Sequence, residues 1–401
     1  MRLYDNAILL LCGLVIASSS SHAQDFRELR EKMVAEEIAA AGVNDTRVLE
    51  AMRSTPRHEF VLDKWRAQAY FDAALPIGDR QTISPPYVVA YMTEQLDPRP
   101  TDRILEIGTG SGYQAAVLSP LVKEVYTIEI VDHLAKRAEQ TLKRLKYENI
   151  HVRSGDGYAG WPEAAPFDKI IVTCSPEAIP QPLVDQLAEG GSMIIPIGER
   201  YQQNLVRVTK RNGELVKEPL QATLFVPMTG TAEDQRRVQP EPTKPQVNNG
   251  DFEEVIGKKQ LPVGWHYLRQ VRTLEEANRN RYLSIANSEP GKPTRALQGL
   301  ALDGREVREV QLSARVRGKN LGPDPTGEQL PAIVLTFYDQ RRAVIESQLL
   351  GPWEGSFDWR TESKTFRVPV TTREAILRLG LLEGVGQLDV DVLVLEAVDN
   401  P

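Results

Sequence analysis

The 401-residue chain is 41% hydrophobic and 26% charged, a composition that excludes collagen-like, wholly disordered and polytopic membrane classes and, at roughly one domain per ~150 residues, predicts two or three folded units. Lys+Arg 48 against Asp+Glu 55 leaves a net charge of −7, and with no basic cluster along the chain a nucleic-acid partner is not expected. Only two cysteines occur, Cys12 and Cys174, in no metal-type spacing, which excludes zinc fingers and disulfide frameworks.

The run from Ala7 to Ala17 is apolar and uncharged, follows Arg2, and leads to Ser21-His22-Ala23, with small residues placed for a cut after Ala23. A spanning helix wants about 20 apolar residues, more than this run offers, so 1–23 reads as a signal peptide and the protein as exported to the periplasm, with no stable membrane span. A short buried helix is the alternative. Cys12 lies within the run rather than after it, which speaks against lipidation.

Residues 24–230 alternate β-type apolar runs with helical stretches, the pattern of an α/β fold with a doubly wound, mostly parallel sheet. Phe26 to Ala41 places Phe26, Leu29, Met33 and Ile38 at helical spacing, with Gly42 as a stop. Strands are expected at Arg103–Ile107, Glu124–Ile130, Ile150–Val152, Lys169–Val172, Ser192–Ile197, Asn204–Thr209 and Gln221–Val226, and helices at Asp132–Lys146 and Gln181–Glu189.

The strand at 103–107 runs into Gly108-Thr109-Gly110-Ser111-Gly112. Closely spaced glycines between strand and helix let backbone amides approach a nucleotide-like ligand. The dinucleotide pattern G-x-G-x-x-G would need glycine at Tyr113, which tilts the reading away from NAD, and no Lys-Ser/Thr pair follows to make a triphosphate loop. Glu129 closes the next strand, where a carboxylate can accept from both ribose hydroxyls. Gly155-Asp156-Gly157 follows the third strand and can set an acid near an adenine amino group. An acid at a strand end also serves as a helix cap or a solvated charge, and both readings stand for Glu129 and Asp156.

Residues 231–247, rich in Pro, Gln, Thr and charge, read as a linker too polar to order itself. Beyond it, 248–401 carries period-two runs at Val310–Val316, Ala332–Tyr338, Lys364–Val368, Ala375–Leu379 and Gln387–Glu396 between turn residues, which predicts an all-β sandwich. His58, His133, His151 and His266 are scattered, so no metal site is expected.

Several longer segments carry a resemblance: Arg57-His58-Glu59-Phe60-Val61, Ala74-Leu75-Pro76-Ile77-Gly78, Gln81-Thr82-Ile83-Ser84-Pro85-Pro86-Tyr87, Leu105 through Tyr113, Gly155-Asp156-Gly157, Pro166-Phe167-Asp168, Glu189-Gly190-Gly191 and Phe225-Val226-Pro227. Through them the chain resembles class I S-adenosylmethionine-dependent methyltransferases, and within these the protein-L-isoaspartate O-methyltransferase family, over roughly 25–230. The resemblance implies a Rossmann-like fold, S-adenosyl-L-methionine as cofactor, and repair of damaged proteins by methylating the free α-carboxylate of isoaspartyl residues. It further implies Ser84 at the substrate carboxylate with Thr82 and Ile83 beside it. Glu106 and Gly108, Thr109, Gly110, Ser111 and Gly112 would line the methionine end, Glu129 would hold the ribose, and Asp156 with Gly157 would face the adenine. Two departures stand out: Arg80 where the family often has Gly, and Cys174-Ser175 in place of a small apolar pair before Pro176. Without the resemblance, Ser84 is equally an ordinary turn serine before two prolines.

A carboxylate acceptor with a solution pKa of about 4 is already ionised, so no general base is needed. Alignment of nucleophile, methyl carbon and sulfur then supplies roughly 7–11 kcal/mol of barrier reduction.

The C-terminal block, opening with Asn249-Gly250-Asp251-Phe252-Glu253 and Gly264-Trp265, is similar to jelly-roll modules of the carbohydrate-binding and galactose-binding-like type, which implies a glycan or envelope ligand. Trp265, Trp353 and Trp359 are either stacking platforms or core. Asp251 and Asp389 are calcium candidates or turn caps. Two other readings remain beside repair: an exported binding protein whose methyltransferase fold does not turn over, and a class I methyltransferase with another acceptor.

Overall fold

The computed structural model describes residues 26–237, 241–257, 259–292, 294–327, 329–340 and 343–398; the expected signal peptide, 1–23, lies outside them. Among these residues no helix is long and apolar enough to cross a membrane. The chain forms two compact units, one made of residues up to 103 with 109–127 and 131–154, the other of 104–108, 128–130 and everything from 155 onward.

In the first unit the expected opening helix is present at 26–32 and continues as a wider π-type turn at Met33–Ala39, burying Met33, Val34 and Ile38. The next helix, Thr46–Ser54, starts on Asp45, whose carboxylate accepts from the Arg47 N–H at 2.9 Å, a side-chain cap for an otherwise orphan donor. A short hairpin, Leu75–Gly78 with Gln81–Ile83, turns through Asp79 and Arg80 at φ +50° and +62°. Two left-handed residues in succession make the turn that favours Asn-Gly or Asp-Gly, so the backbone at Arg80 suits glycine better than arginine. Arg80→Gly is expected to raise stability by up to about 1 kcal/mol in thermal unfolding, because ~1–2 kcal/mol of left-handed strain exceeds the ~0.5–1 kcal/mol entropic cost of glycine.

The seven-stranded sheet has the order Ile150–Ser154, Glu124–Glu129, Arg103–Ile107, Phe167–Val172, Leu187–Gly198, Gln203–Arg211, Glu214–Thr223. The Arg103–Ile107, Phe167–Val172 and Leu187–Gly198 strands pair in parallel, and the last two strands add antiparallel. Strand order reverses between Arg103–Ile107 and Phe167–Val172, the switch point at which open α/β sheets bind ligands. The final strand, expected at 221–226, forms earlier, because Asn212 and Gly213 both take positive φ and close a tight hairpin after Arg211.

Residues read as a linker begin instead with a helical turn, Thr231–Asp234, that buries Ala232. The Arg236 side chain is wholly buried and donates to the carbonyls of Ser175 at 3.0 Å and Gly198 at 3.1 Å. Polar residues order here because backbone carbonyls meet the buried Arg236 donors, while Ala232 and Val247 supply the apolar contacts.

Farther on, five antiparallel strands (Val271–Glu275, Arg281–Asn287, Val385–Ala397, Glu309–Gly322, Gly355–Arg367) and four more (Thr294–Ala301, Glu374–Leu382, Ala332–Tyr338, Val344–Leu350) form two sheets around one core of residues between Phe252 and Leu395. Trp265 and Trp353 belong to that core, so neither presents a stacking face; Trp359 is half-buried against the guanidinium groups of Arg315 and Arg317. Asp389 is spent on a salt bridge to Arg317 at 2.7 Å, and no group of acids or histidines among the described residues is arranged to hold a metal.

Tyr201, from the loop before Gln203–Arg211, reaches this β region. Its hydroxyl donates to Glu374 at 3.0 Å, and its ring lies where a Cβ on Gly299 would sit 2.7 Å away. His266 places Nε2 3.3 Å from the Tyr201 carbonyl, and burial lowers its pKa to about 4. The unfolded chain therefore takes up a proton near pH 6.5 while the folded chain resists until about 4, so stability is full above pH 6.5 and declines as pH falls through that window. His266→Gln is expected to flatten this decline in melts between pH 7 and 4.

Candidate functional site

The sheet's carboxyl edge in the second unit gathers the acids expected there. Glu106 is fully buried on its strand, and Glu129 is buried at the end of the next. Asp156 follows the Gly155 N–H, which donates to the Glu129 carbonyl at 2.9 Å. All three carboxylates act electrostatically on Cys174, whose thiol is pushed up first by burial and further by these charges; it stays protonated. The departure at 174–175 therefore falls where all three carboxylates are felt.

Two glycines make this approach possible. Gly108, at φ +98°, donates to the Ile128 carbonyl at 2.9 Å, and a Cβ there would stand 2.5 Å from the Thr173 hydroxyl. That hydroxyl in turn donates to the Gly108 carbonyl at 2.8 Å. A Cβ on Gly157 would stand 2.3 Å from Ile107 Cγ2. Any larger residue at either place would force the Thr173 or Ile107 side chain to move.

Asp156 combines both of its expected readings. One oxygen accepts from the Tyr158 N–H at 2.9 Å and caps the turn that follows; the other accepts from the Thr231 N–H at 2.9 Å and the Thr231 hydroxyl at 2.7 Å. Burial raises its pKa, but the hydrogen bonds from Thr231 and Tyr158 outweigh burial and leave it below the ordinary carboxylate value. A carboxylate has about four acceptor positions, so one remains for a ligand. Nothing local in the sequence marks Thr173 or Thr231, since each serves a residue 65 or 75 positions away.

In the first unit, the remainder of the glycine turn is tight: the Gly112 N–H donates to the Thr109 carbonyl at 2.7 Å, and the Thr109 hydroxyl meets that of Thr127 at 2.6 Å. Gly110 and Gly112 take positive φ, Thr109 and Ser111 are buried, and the Tyr113–Leu118 helix follows at once. Arg57 braces that helix. Fully buried, it lies 4.8 Å over the Tyr113 ring and donates to the carbonyls of Ala69 at 2.8 Å and Ala73 at 3.3 Å. Burial lowers its pKa. A charged residue in a polar stretch reads as solvated, so the local sequence carries no sign of its burial.

Thr82 is exposed, Ile83 buried and Ser84 half-buried. Ser84 precedes Pro85 and the Pro86–Leu96 helix, which has proline in its first turn and no cap from its own Pro85. The Tyr87 N–H is instead met by Asp72 Oδ1 at 2.8 Å.

The chain's residues 28–233 match the family model described as Protein-L-isoaspartate(D-aspartate) O-methyltransferase (PCMT). A protein-L-isoaspartate O-methyltransferase 1 of Syntrophobacter fumaroxidans is 50% identical over 206 residues, 51% of this chain and 96% of that protein. A protein-L-isoaspartate O-methyltransferase 2 of Nitrosococcus oceani is 55% identical over 190 residues, 47% of this chain and 87% of that protein. A crystal structure of a putative protein-L-isoaspartate O-methyltransferase from Plasmodium falciparum, in complex with S-adenosyl-L-homocysteine, is 28% identical, with a TM-score of 0.45, covering 50% of this chain and 98% of that one.

The family's cofactor is S-adenosyl-L-methionine, and the residues here fit it: a cationic donor suits three clustered carboxylates, and a buried strand-end carboxylate at Glu129 suits a ribose diol. With a matching family model over half its length and relatives at half identity across nearly their whole length, the chain belongs to the protein-L-isoaspartate(D-aspartate) O-methyltransferase family and is a methyltransferase.

Proposed function

We propose that this chain methylates the free α-carboxylate of L-isoaspartyl residues in damaged proteins, giving an ester that collapses to a succinimide and can reopen as normal Asp. The observation that carries the reading is the set of carboxylates at Glu106, Glu129 and Asp156, all acting electrostatically on the buried Cys174, beside Gly108 and Gly157, whose backbone packs too closely on Thr173 and Ile107 to carry a side chain.

When bound, S-adenosyl-L-methionine supplies a methyl group on a positively charged sulfur. Glu129 accepts from the ribose hydroxyls, Asp156 uses its remaining acceptor position toward the adenine amino group, and Glu106 with the 108–112 turn lines the methionine end. Ser84 donates its hydroxyl to the acceptor carboxylate, holding it without neutralising it, while Thr82 and Ile83 line the acceptor peptide. No residue need accept a proton, because the attacking oxygen is already ionised. Incubating the protein with labelled donor and paired peptides, one isoaspartyl and one aspartyl, tests the reading. Label on the first only supports repair; label on neither favours a binding protein without turnover, and label on both or on another acceptor favours a different methyltransferase.

We further propose export to the periplasm with cleavage after Ala23, supported by the apolar run and the small residues before the cut; amino-terminal sequencing of protein from fractionated cells tests it. The β region is read as a jelly-roll docking module for a glycan or envelope ligand, supported by its two antiparallel sheets on one core. Trp359 is the tryptophan of the three that keeps exposed surface, and glycan arrays with wild-type protein and Trp359→Ala would show whether it binds sugar.

A further inference from the structure

We infer that Asp72 is the positioning residue for Ser84, an inference that rests on the role proposed for Ser84. Pro85 and Pro86 carry no N–H, so the first donor available at this end of the Pro86–Leu96 helix is Tyr87, three residues after Ser84. Helix starts usually satisfy such a donor from the residue just before them, and Pro85 has no side chain able to do so.

Asp72 does it from 15 positions away, accepting from the Tyr87 N–H at 2.8 Å. It is itself held in place. The loop that carries it is pinned on both sides by Arg57, through the Ala69 and Ala73 carbonyls, and is closed by the Ala73 N–H donating to the Phe71 carbonyl at 2.8 Å. The chain between the two anchors has little freedom: proline fixes φ at 85 and 86, and the residue before a proline is confined to extended backbone. Fixing Tyr87 therefore fixes Ser84.

Steady-state methylation of an isoaspartyl peptide by the full chain tests this, with donor affinity measured by calorimetry and folding by thermal melts. Asp72→Ala is expected to lower kcat/KM for the peptide about tenfold while the donor dissociation constant stays within about twofold. Asp72→Asn keeps an oxygen acceptor and is expected to recover to within about threefold of wild type. In a Ser84→Ala background, Asp72→Ala should cost little more, because both changes remove one function. Wild-type kcat/KM in Asp72→Ala, an Asn variant as impaired as Ala, or fully additive losses in the double variant would each overturn the inference. If the wild-type protein leaves the isoaspartyl peptide unmethylated, the proposed function fails, and that outcome is distinct from all three.

Discussion

Ser84→Ala is expected to lower methyl transfer to an isoaspartyl peptide by about 10²-fold while leaving the fold and donor affinity unchanged. The size follows from the kind of catalysis available. With an acceptor already ionised, the rate depends on alignment, and a misplacement of about 1 Å costs on the order of 10²-fold. Ser84 is half-buried at the end of a hairpin and before a proline-led helix, so removing one oxygen leaves no large cavity and the structure has little reason to change. The loss should appear in kcat/KM for the peptide, in proportion across peptides of different flanking sequence. Turnover at the wild-type rate would show that another group holds the acceptor.

Glu129→Ala should act on the other substrate. If its carboxylate accepts from both ribose hydroxyls, two charge-assisted hydrogen bonds are lost, each contributing about 1.5 kcal/mol, and the donor dissociation constant should rise about 10²-fold. Removing one of three carboxylates also takes away a negative charge that suits the cationic donor, which adds to the loss. Glu129→Gln separates the two effects, since it keeps an acceptor while removing the charge. Calorimetric titration with donor is the measurement, and an unchanged affinity in the Ala variant would reject the ribose role.

Much of the architecture was written locally. The strands at 103–107, 167–172 and 332–338 are short β-branched runs between turn residues, and apolar spacing marked the helix at 132–144 and the opening helix. Strands of weak pattern were harder. Gly355–Arg367 shows a strand pattern only at its last residues, because it lies at a sheet edge with polar side chains on both faces and so has little alternation. The Asn212-Gly213 pair was a usable hairpin signal that strand runs by themselves obscured. The tryptophans divided by packing: Trp265 and Trp353 fill the space between sheets, while Trp359 lies against two arginines.

Residue order by itself determined the family, the glycine spacing and the candidate acids, because each of these is carried by neighbours within a few positions along the chain. Which partners those residues meet was decided only on folding. Thr173 closes over Gly108, Thr231 takes both a backbone and a side-chain bond to Asp156, Arg57 disappears beneath Tyr113, and Asp72 caps a helix it does not belong to. A buried polar group must find a partner wherever the fold brings one, and separation along the chain carries no trace of that meeting.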